Sequence, residues 1–336
     1  MERLQIFFSF DNNYVKPAAV AFWSLLDRAA NNVSYDMYVL HHDISKENQE
    51  FLSSIVQKAG NAKLIFRDTG SFLLDEWQKG NYEGHQTRNQ FTSDTLVRCF
   101  AATLLPEFDK VIYSDVDVVF VDDISGLWDV DISDVYLAGV KNAFMKHEPK
   151  ELSHLKPEHY EMLKDKYLAG GIWLMNLKKI RDDAIEAKMM DVIEDDSIIK
   201  RWNDQDVINI ACGGKVGFIP LNYISYPYLL DVINREGFAS HFSRDELYDS
   251  FIHPKIIHYA AVKPWKGSAK RQEIWWGIHD YLGLGLKAPM QYDQEEVQAL
   301  RKWKKRFKRR MLRLIIFLVM AILALMVAIV KRCVGS

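Results

Sequence analysis

The chain has 336 residues, room for two average domains or for one α/β catalytic unit of roughly 250 to 300 residues. At 49% hydrophobic it can bury a large core. Its net charge of −2 conceals an asymmetry, because residues 301–336 hold eleven Lys or Arg and no acidic residue, leaving 32 basic against 45 acidic side chains before them. A body that acidic lacks the basic face that nucleic acid requires, which excludes nucleic acid as its partner.

In chain order, Leu4–Phe10 is apolar, but Asp11 and two asparagines interrupt it short of a signal peptide, so it reads as a first buried strand. Pro17–Leu26 places Ala18, Ala19, Phe22, Trp23 and Leu26 at helical spacing. Further strands are expected at Met37–Leu40, Lys63–Phe66 and Lys110–Tyr113, with a helix starting behind Ser45 and another from Asp94 to Leu105, stopped by Pro106. This alternation predicts βα units around a mostly parallel sheet.

Strands at Val135–Val140, Gly171–Leu177, Val216–Ile219 and Ile256–Tyr259 and helices near Lys178–Ile193 and Asp204–Ala211 continue the pattern. His147–Asp165 and Arg235–Ser250 show no clear period and read as lids or acceptor loops. Cys99, Cys212 and Cys333 are odd in number and without CxxC spacing, which points to a reducing compartment.

The last elements differ in kind. Arg301–Arg310 interleaves eight basic residues with Trp303 and Phe307, a composition suited to anionic membrane lipids. Leu314–Val330 then gives seventeen consecutive apolar residues. As a helix they would span about 25 Å against a hydrocarbon core of about 30 Å. A single span is the first reading, with an in-plane anchor or a buried core helix as alternatives. Nine positive charges from Arg301 to Arg313 outnumber the two after the run, so the positive-inside bias leaves the body at the cytoplasmic face. The organisation expected is a catalytic domain over 1–290, a basic amphipathic juxtamembrane segment over 291–313 and a transmembrane or membrane-embedded helix over 314–330.

The strongest chemical signal is Val111–Phe120, an apolar strand carrying Asp115 and Asp117, whose side chains point the same way in an extended chain. Two close carboxylates repel unless a cation or protons neutralise them, which points to a divalent metal. Solvated strand-end aspartates are the plain alternative. An Asp-x-Asp phosphatase nucleophile is another, disfavoured because the motif follows several βα units instead of ending the first strand. His258 ends a later strand ahead of Lys263-Pro264-Trp265. A single histidine is more often structural, but beside two aspartates it completes a set suited to Mn²⁺ or Mg²⁺, and Lys263 would add charge for a pyrophosphate. At the end of the first strand, Asp11, Asn13 and Tyr14 could read and stack on a base, or simply form a turn.

Taken together, these segments resemble the retaining glycosyltransferases of family 8 over roughly residues 4–266. The marks are Phe8–Tyr14, Asp115-Val116-Asp117 followed by Leu127-Trp128, Leu168-Ala169-Gly170-Gly171 running into Met175-Asn176-Leu177, Asn203–Asp206, and His258 with Lys263-Pro264-Trp265. The resemblance implies a GT-A fold and Mn²⁺ (or Mg²⁺) held by Asp115, Asp117 and His258. It implies a UDP-glucose or UDP-galactose donor, with uridine at Asp11, Asn13, Tyr14 and Val116, and Arg98 and Lys263 near sugar and phosphates. Gln205 and Asp204 would face the transferring sugar, and the acceptor would be a glycan or glycolipid of the cell envelope or surface. Ala169 and Asn142 replace an Asn and an acidic residue usual near the donor sugar, and Ala260-Ala261-Val262 lacks the usual glycine. These departures make a membrane-tethered UDP-sugar-binding protein with little turnover the alternative.

Overall fold

The computed structural model describes residues 2–70, 94–142, 152–231 and 242–286. Residues 287–336, which include the expected basic segment and apolar run, lie outside the described residues, as do 143–151 and 232–241 in or beside the two aperiodic stretches. Among the described residues no helix is long and apolar enough to cross a membrane. The chain divides after Lys287, and Met1–Lys287 is one unit.

A seven-stranded sheet runs in the order β3-β2-β1-β4-β7-β6-β8. Its strands are β1 Glu2–Ser9, β2 Val33–His41, β3 Ala62–Asp68, β4 Lys110–Ser114, β6 Leu137–Lys141, β7 Leu168–Asn176 and β8 Val216–Phe218. The pairs β3/β2, β2/β1, β1/β4 and β6/β8 are parallel, and only β7 runs against its neighbours. The expected α/β fold with a mostly parallel sheet is therefore present.

Both faces are covered, which is why β1 and β2 read as near-continuous apolar runs and not as alternations. Leu4, Ile6 and Phe8 pack with Phe22 and Leu25 of α1 (Val15–Arg28) and Leu52 and Val56 of α2 (Lys46–Ala59). Phe7, on the opposite face, joins Tyr113, Trp173 and the helices Leu177–Asp182, Ile185–Glu194 and Asp204–Cys212. The Ser45 hydroxyl accepts the Asn48 N–H and caps α2, as its position ahead of the helix predicts.

Four expectations need correction. The stretches His147–Asp165 and Arg235–Ser250, read as aperiodic loops, each hold a helix, Pro157–Leu163 and Arg244–Ile252, the second opened by a capping box of Ser243 and Glu246. Asp94–Leu105 is not one helix: it breaks into Asp94–Val97, a 3₁₀ turn at Arg98–Phe100 and Ala101–Leu104. The tightened middle turn buries Arg98. Lys178–Ile193 is likewise two helices, split where Ala184 takes a left-handed conformation (φ 51°, ψ 42°). Val111–Phe120 is two strands, because β4 stops at Ser114 and β5, Val118–Phe120, leaves the sheet to pair antiparallel with β9, Ile256–His258. Asp115 and Asp117 thus lie on the crossing between sheets, not on a strand.

Candidate active site

The register explains why distant motifs meet. β1 and β4 are aligned with Phe7 opposite Tyr113, so both run off the same edge of the sheet within a few residues. Antiparallel β7 enters at that edge, with Ile172 opposite Ser114 and the Asp115 N–H donating to Gly171 O at 3.0 Å. In the small sheet His258 pairs with Val118, and the Tyr259 N–H donates to Asp117 O at 2.9 Å. One edge therefore collects the Asp11 turn, the two aspartates, the glycine pair and His258.

His258 Nε2 lies 3.0 Å from Asp117 Oδ1 and 3.4 Å from Asp115 Oδ2. One ligand atom from each of the three residues falls within a 4.8 Å cluster, and the donor set of two carboxylates and an imidazole fits a divalent cation. The ring's other nitrogen, Nδ1, is buried, has no hydrogen-bond partner among the described residues and faces Gly171. Gly171 has φ +112°, and a Cβ there would sit 2.5 Å from that Nδ1.

Lys263 donates to Asp117 Oδ2 and to Ala260 O. Burial pushes the Asp117 carboxyl up, but Lys263 and His258 outweigh it and hold the group well below the usual carboxylate range. Arg98 Nη1 lies 2.6 Å from Asp115 Oδ1 and 3.5 Å from Asp204 Oδ2, its guanidinium 4.6 Å from the centre of the Tyr113 ring. Tyr113 OH also donates to Asp115. Burial opposes the Arg98 charge, yet Tyr113, Asp115 and Asp204 keep it firmly protonated. Asp204 is pushed up to about 7 by its own burial, against the pull of Arg98 and with the push of Asp115. The two ends of the Arg98–Asp204 contact differ because the guanidinium is committed to the nearer Asp115.

Gln205 Oε1 accepts the Gly170 N–H at 2.8 Å. Asn209, one turn on, holds β7 from both sides, accepting the Leu168 N–H at 2.7 Å and donating to Leu168 O at 3.1 Å. The start of the helix Asp204–Cys212 is thereby fixed against the start of β7.

At the end of β1, Asp11 caps a 3₁₀ turn, Asn12–Tyr14, by accepting the Asn13 N–H at 2.9 Å, and the Asn13 amide reaches its other oxygen at 3.3 Å. Tyr14 meets Trp265 edge-on at 6.0 Å. Burial, followed by Asp117, Asp11 and Asp115, raises the Tyr14 hydroxyl far above its ordinary value, so this turn and the aspartates share one electrostatic neighbourhood.

The sequence model described as Glycosyl transferase family 8 matches residues 5–269, well over half of the chain. The chain belongs to glycosyl transferase family 8. A Haemophilus influenzae protein called "Putative glycosyltransferase" is 25% identical over 236 residues, 70% of this chain and 67% of that protein. Among solved structures, the galactosyltransferase LgtC in complex with donor and acceptor sugar analogs aligns with a TM-score of 0.68 at 22% identity, over 85% of this chain and 98% of its own. The WbbM bifunctional glycosyltransferase aligns with a TM-score of 0.67 at 24% identity, over 83% of this chain. The alignment spans half of WbbM's length. At these identities the likeness concerns the fold, which is of the GT-A type.

Of the site residues read from this family 8 sequence, Asp115, Asp117, His258, Arg98 and Lys263 are linked by direct contacts, and Asp204 joins them through Arg98. Gln205 meets Gly170 instead. Val116 between the two aspartates is buried. The atypical Ala169 is also buried, its carbonyl accepting Trp173 Nε1–H at 2.8 Å, and Asn142 donates its N–H to Tyr167 O at 3.0 Å. Two contributors were not read from sequence. Tyr113 lies two residues before the motif, where alternation along β4 would have offered it as a neighbour of Asp115. Tyr226 donates to Gly170 O at 2.8 Å and lies 5.3 Å from the His258 ring, a placement that depends on the Ser225–Ile257 bridge and has no local signal.

Proposed function

We propose that this family 8 glycosyltransferase moves a hexose, glucose or galactose, from a UDP-sugar to a cell-envelope or surface glycan or glycolipid, with retention of configuration and with Mn²⁺ or Mg²⁺. The observation that carries the reading is the meeting of Asp115, Asp117 and His258 at the sheet edge that also presents Asp11–Tyr14. In this reading the three ligands hold the cation, which when bound offsets the negative charge of a diphosphate leaving group. Asp11, Asn13, Tyr14 and Val116 bind uridine, Arg98 and Lys263 face sugar and phosphates, and Asp204 and Gln205 face the transferring hexose. LgtC, crystallised with donor and acceptor sugar analogs, supports a sugar donor by likeness of fold.

The basic segment 291–313 and the apolar run 314–330 bring the domain 1–290 to anionic lipids at the cytoplasmic face of a membrane. Seventeen uninterrupted apolar residues behind a cationic stretch support this.

The test is UDP release from a panel of UDP-sugars with Mn²⁺, with and without lipid-linked acceptors. Turnover with a UDP-hexose is the expected result. Donor binding without UDP release under any condition would instead make the chain a tethered UDP-sugar-binding protein.

A further inference from the structure

Behind Asp204 and Gln205 lies a buried ionisable cluster that the transfer reading leaves unused. Asp206, the third residue of the same helix, has both carboxylate oxygens taken. Its Oδ1 accepts Tyr167 OH at 2.7 Å, and its Oδ2 accepts the Trp202 N–H at 2.8 Å and faces His154 Nε2 at 3.0 Å. The His154 and Asp206 side chains are 1% and 0% exposed. A carboxylate of this kind only accepts, so His154 Nε2 carries the proton between them. The other ring nitrogen, Nδ1, has no hydrogen-bond partner among the described residues. Among the described residues the imidazole's hydrogen bonding is therefore spent on Asp206.

What Asp206 holds is the turn into the site. Its grip on the Trp202 N–H closes a loop in which Asn203 takes φ 54°, a left-handed backbone unusual for a side chain other than glycine. The Gln205 N–H returns to Trp202 O at 3.1 Å, and the Gln205 side chain reaches Gly170. Tyr167, on the other oxygen, immediately precedes β7. The carboxylate thus joins the approach to β7, the turn and the 152–156 segment at one point, a few bonds from the residues read as facing the donor sugar.

We propose that His154 is a positioning residue for transfer, acting through Asp206 to fix the 202–205 turn so that Asp204 and Gln205 keep one orientation toward the sugar. This rests on the transferase reading above. A carboxylate this buried that loses one of three donors turns toward the remaining two, and the Trp202 end of the turn moves with it.

The experiment compares His154→Phe, which keeps a ring but removes the donor, with His154→Gln, whose side-chain amide can donate to Asp206 again. We expect His154→Phe to lower kcat at least tenfold while UDP affinity, titrated by calorimetry with Mn²⁺, stays within twofold, and His154→Gln to recover most of the loss. Without any donor, amide exchange of the 202–206 peptide should speed up at least tenfold in His154→Phe, with β1 and β4 unchanged. Near-wild-type exchange and kcat in His154→Phe would overturn the proposal, as would a loss that His154→Gln does not restore or that UDP affinity shares. Should His154→Phe not fold, Tyr167→Phe removes another donor from the same carboxylate and is judged by the same readouts. A wild-type chain that releases UDP from no sugar donor refutes the transferase reading instead, and the exchange comparison still decides the His154–Asp206 link.

Discussion

Gln205 and Gly170 are joined by a 2.8 Å hydrogen bond from the Gly170 N–H to the Gln205 side-chain oxygen, and Gly171 next to it leaves just enough room for His258. The two glycines therefore serve different parts of the site. An alanine Cβ at 170 would meet Gln205 Cγ and Cδ at 3.2 Å, a contact the side chain can relieve by shifting. At 171 it would meet His258 Nδ1 at 2.5 Å on a backbone with φ +112°. Gly171→Ala should lower stability by about 2 kcal/mol or more and Mn²⁺ affinity at least tenfold, whereas Gly170→Ala should lower kcat several-fold and spare metal binding. Thermal melts and Mn²⁺ titrations followed by electron paramagnetic resonance read both. Equal behaviour of the two variants would contradict this division.

Four aspartates lie between 115 and 123, and only two of them should matter for turnover. Asp122 pairs with Lys255 at 3.0 Å on an exposed side chain, and Asp123 receives the Ser125 hydroxyl and the Ala30 N–H. Asp117 faces His258 and Lys263. Asp117→Asn should cut turnover by several orders of magnitude, and Asp122→Asn or Asp123→Asn should leave it within a few-fold. Chelation with EDTA should abolish activity, and Mn²⁺ should restore it. Full turnover in EDTA would remove the cation from the mechanism.

The residues of this site were legible in the sequence more readily than their connections. β1, β2, β4 and α1 were visible because burial on both faces gives long apolar runs and a helical stripe, patterns set within a dozen residues. The break between β4 and β5 was not, since Val111–Phe120 is apolar throughout apart from Ser114, Asp115 and Asp117, and the departure to pair with β9 is decided by residues some 140 positions away. The helix Gln272–Leu282 was also missed. It opens on Arg271 in a left-handed conformation with no side-chain cap, so no start signal marks it, although Ile274, Trp275 and Ile278 do keep helical spacing. Ion pairs such as Lys263–Asp117 and Arg98–Asp204 follow from tertiary register and leave no trace in local pattern.

Asp204 gives the fold a measurable pH dependence. Burial raises its carboxyl to about 7, so the folded chain binds a proton that the unfolded chain has released by about pH 4. The stabilisation from this group is full below about pH 4 and is lost as pH rises through 7. Urea unfolding of the metal-free protein should therefore show lower stability at pH 8 than at pH 5, by up to a few kcal/mol, and Asp204→Asn should remove most of that difference. Asp117, held low, titrates below this window and does not obscure it. An unchanged pH slope in Asp204→Asn would assign the effect elsewhere.

Every residue placed in the site precedes Lys287, where the first unit ends. A chain cut near Gln298 should stay folded, remain in solution without detergent and keep its donor turnover. The full-length protein should float with vesicles containing anionic lipid, and the shortened one should not. A full-length protein that is monodisperse without detergent and ignores such vesicles would refute the anchor.

The product of transfer from an α-linked donor should itself be α-linked. Inversion needs a carboxylate base positioned to activate the acceptor hydroxyl from the face opposite the leaving group. At the head of the helix Asp204–Cys212 stands an amide, Gln205, far too weak a base at neutral pH, and its carbonyl oxygen is already taken by the Gly170 N–H. The amide's NH₂ end can turn toward a ligand as a donor to sugar or phosphate oxygens. The neighbouring carboxyl, Asp204, is raised to about 7 and lies beside Arg98, a setting suited to holding sugar hydroxyls in either protonation state. In the proposed reading it is Gln205, and not the Arg98-paired Asp204, that lies beneath the sugar, so the acceptor's proton would pass to the departing phosphate on the same face, which preserves configuration. Gln205→Ala should then lower kcat with little change in donor affinity, and Asp204→Asn should weaken both. An NMR time course that shows a β-linked product first would refute same-face transfer and the role given to Gln205.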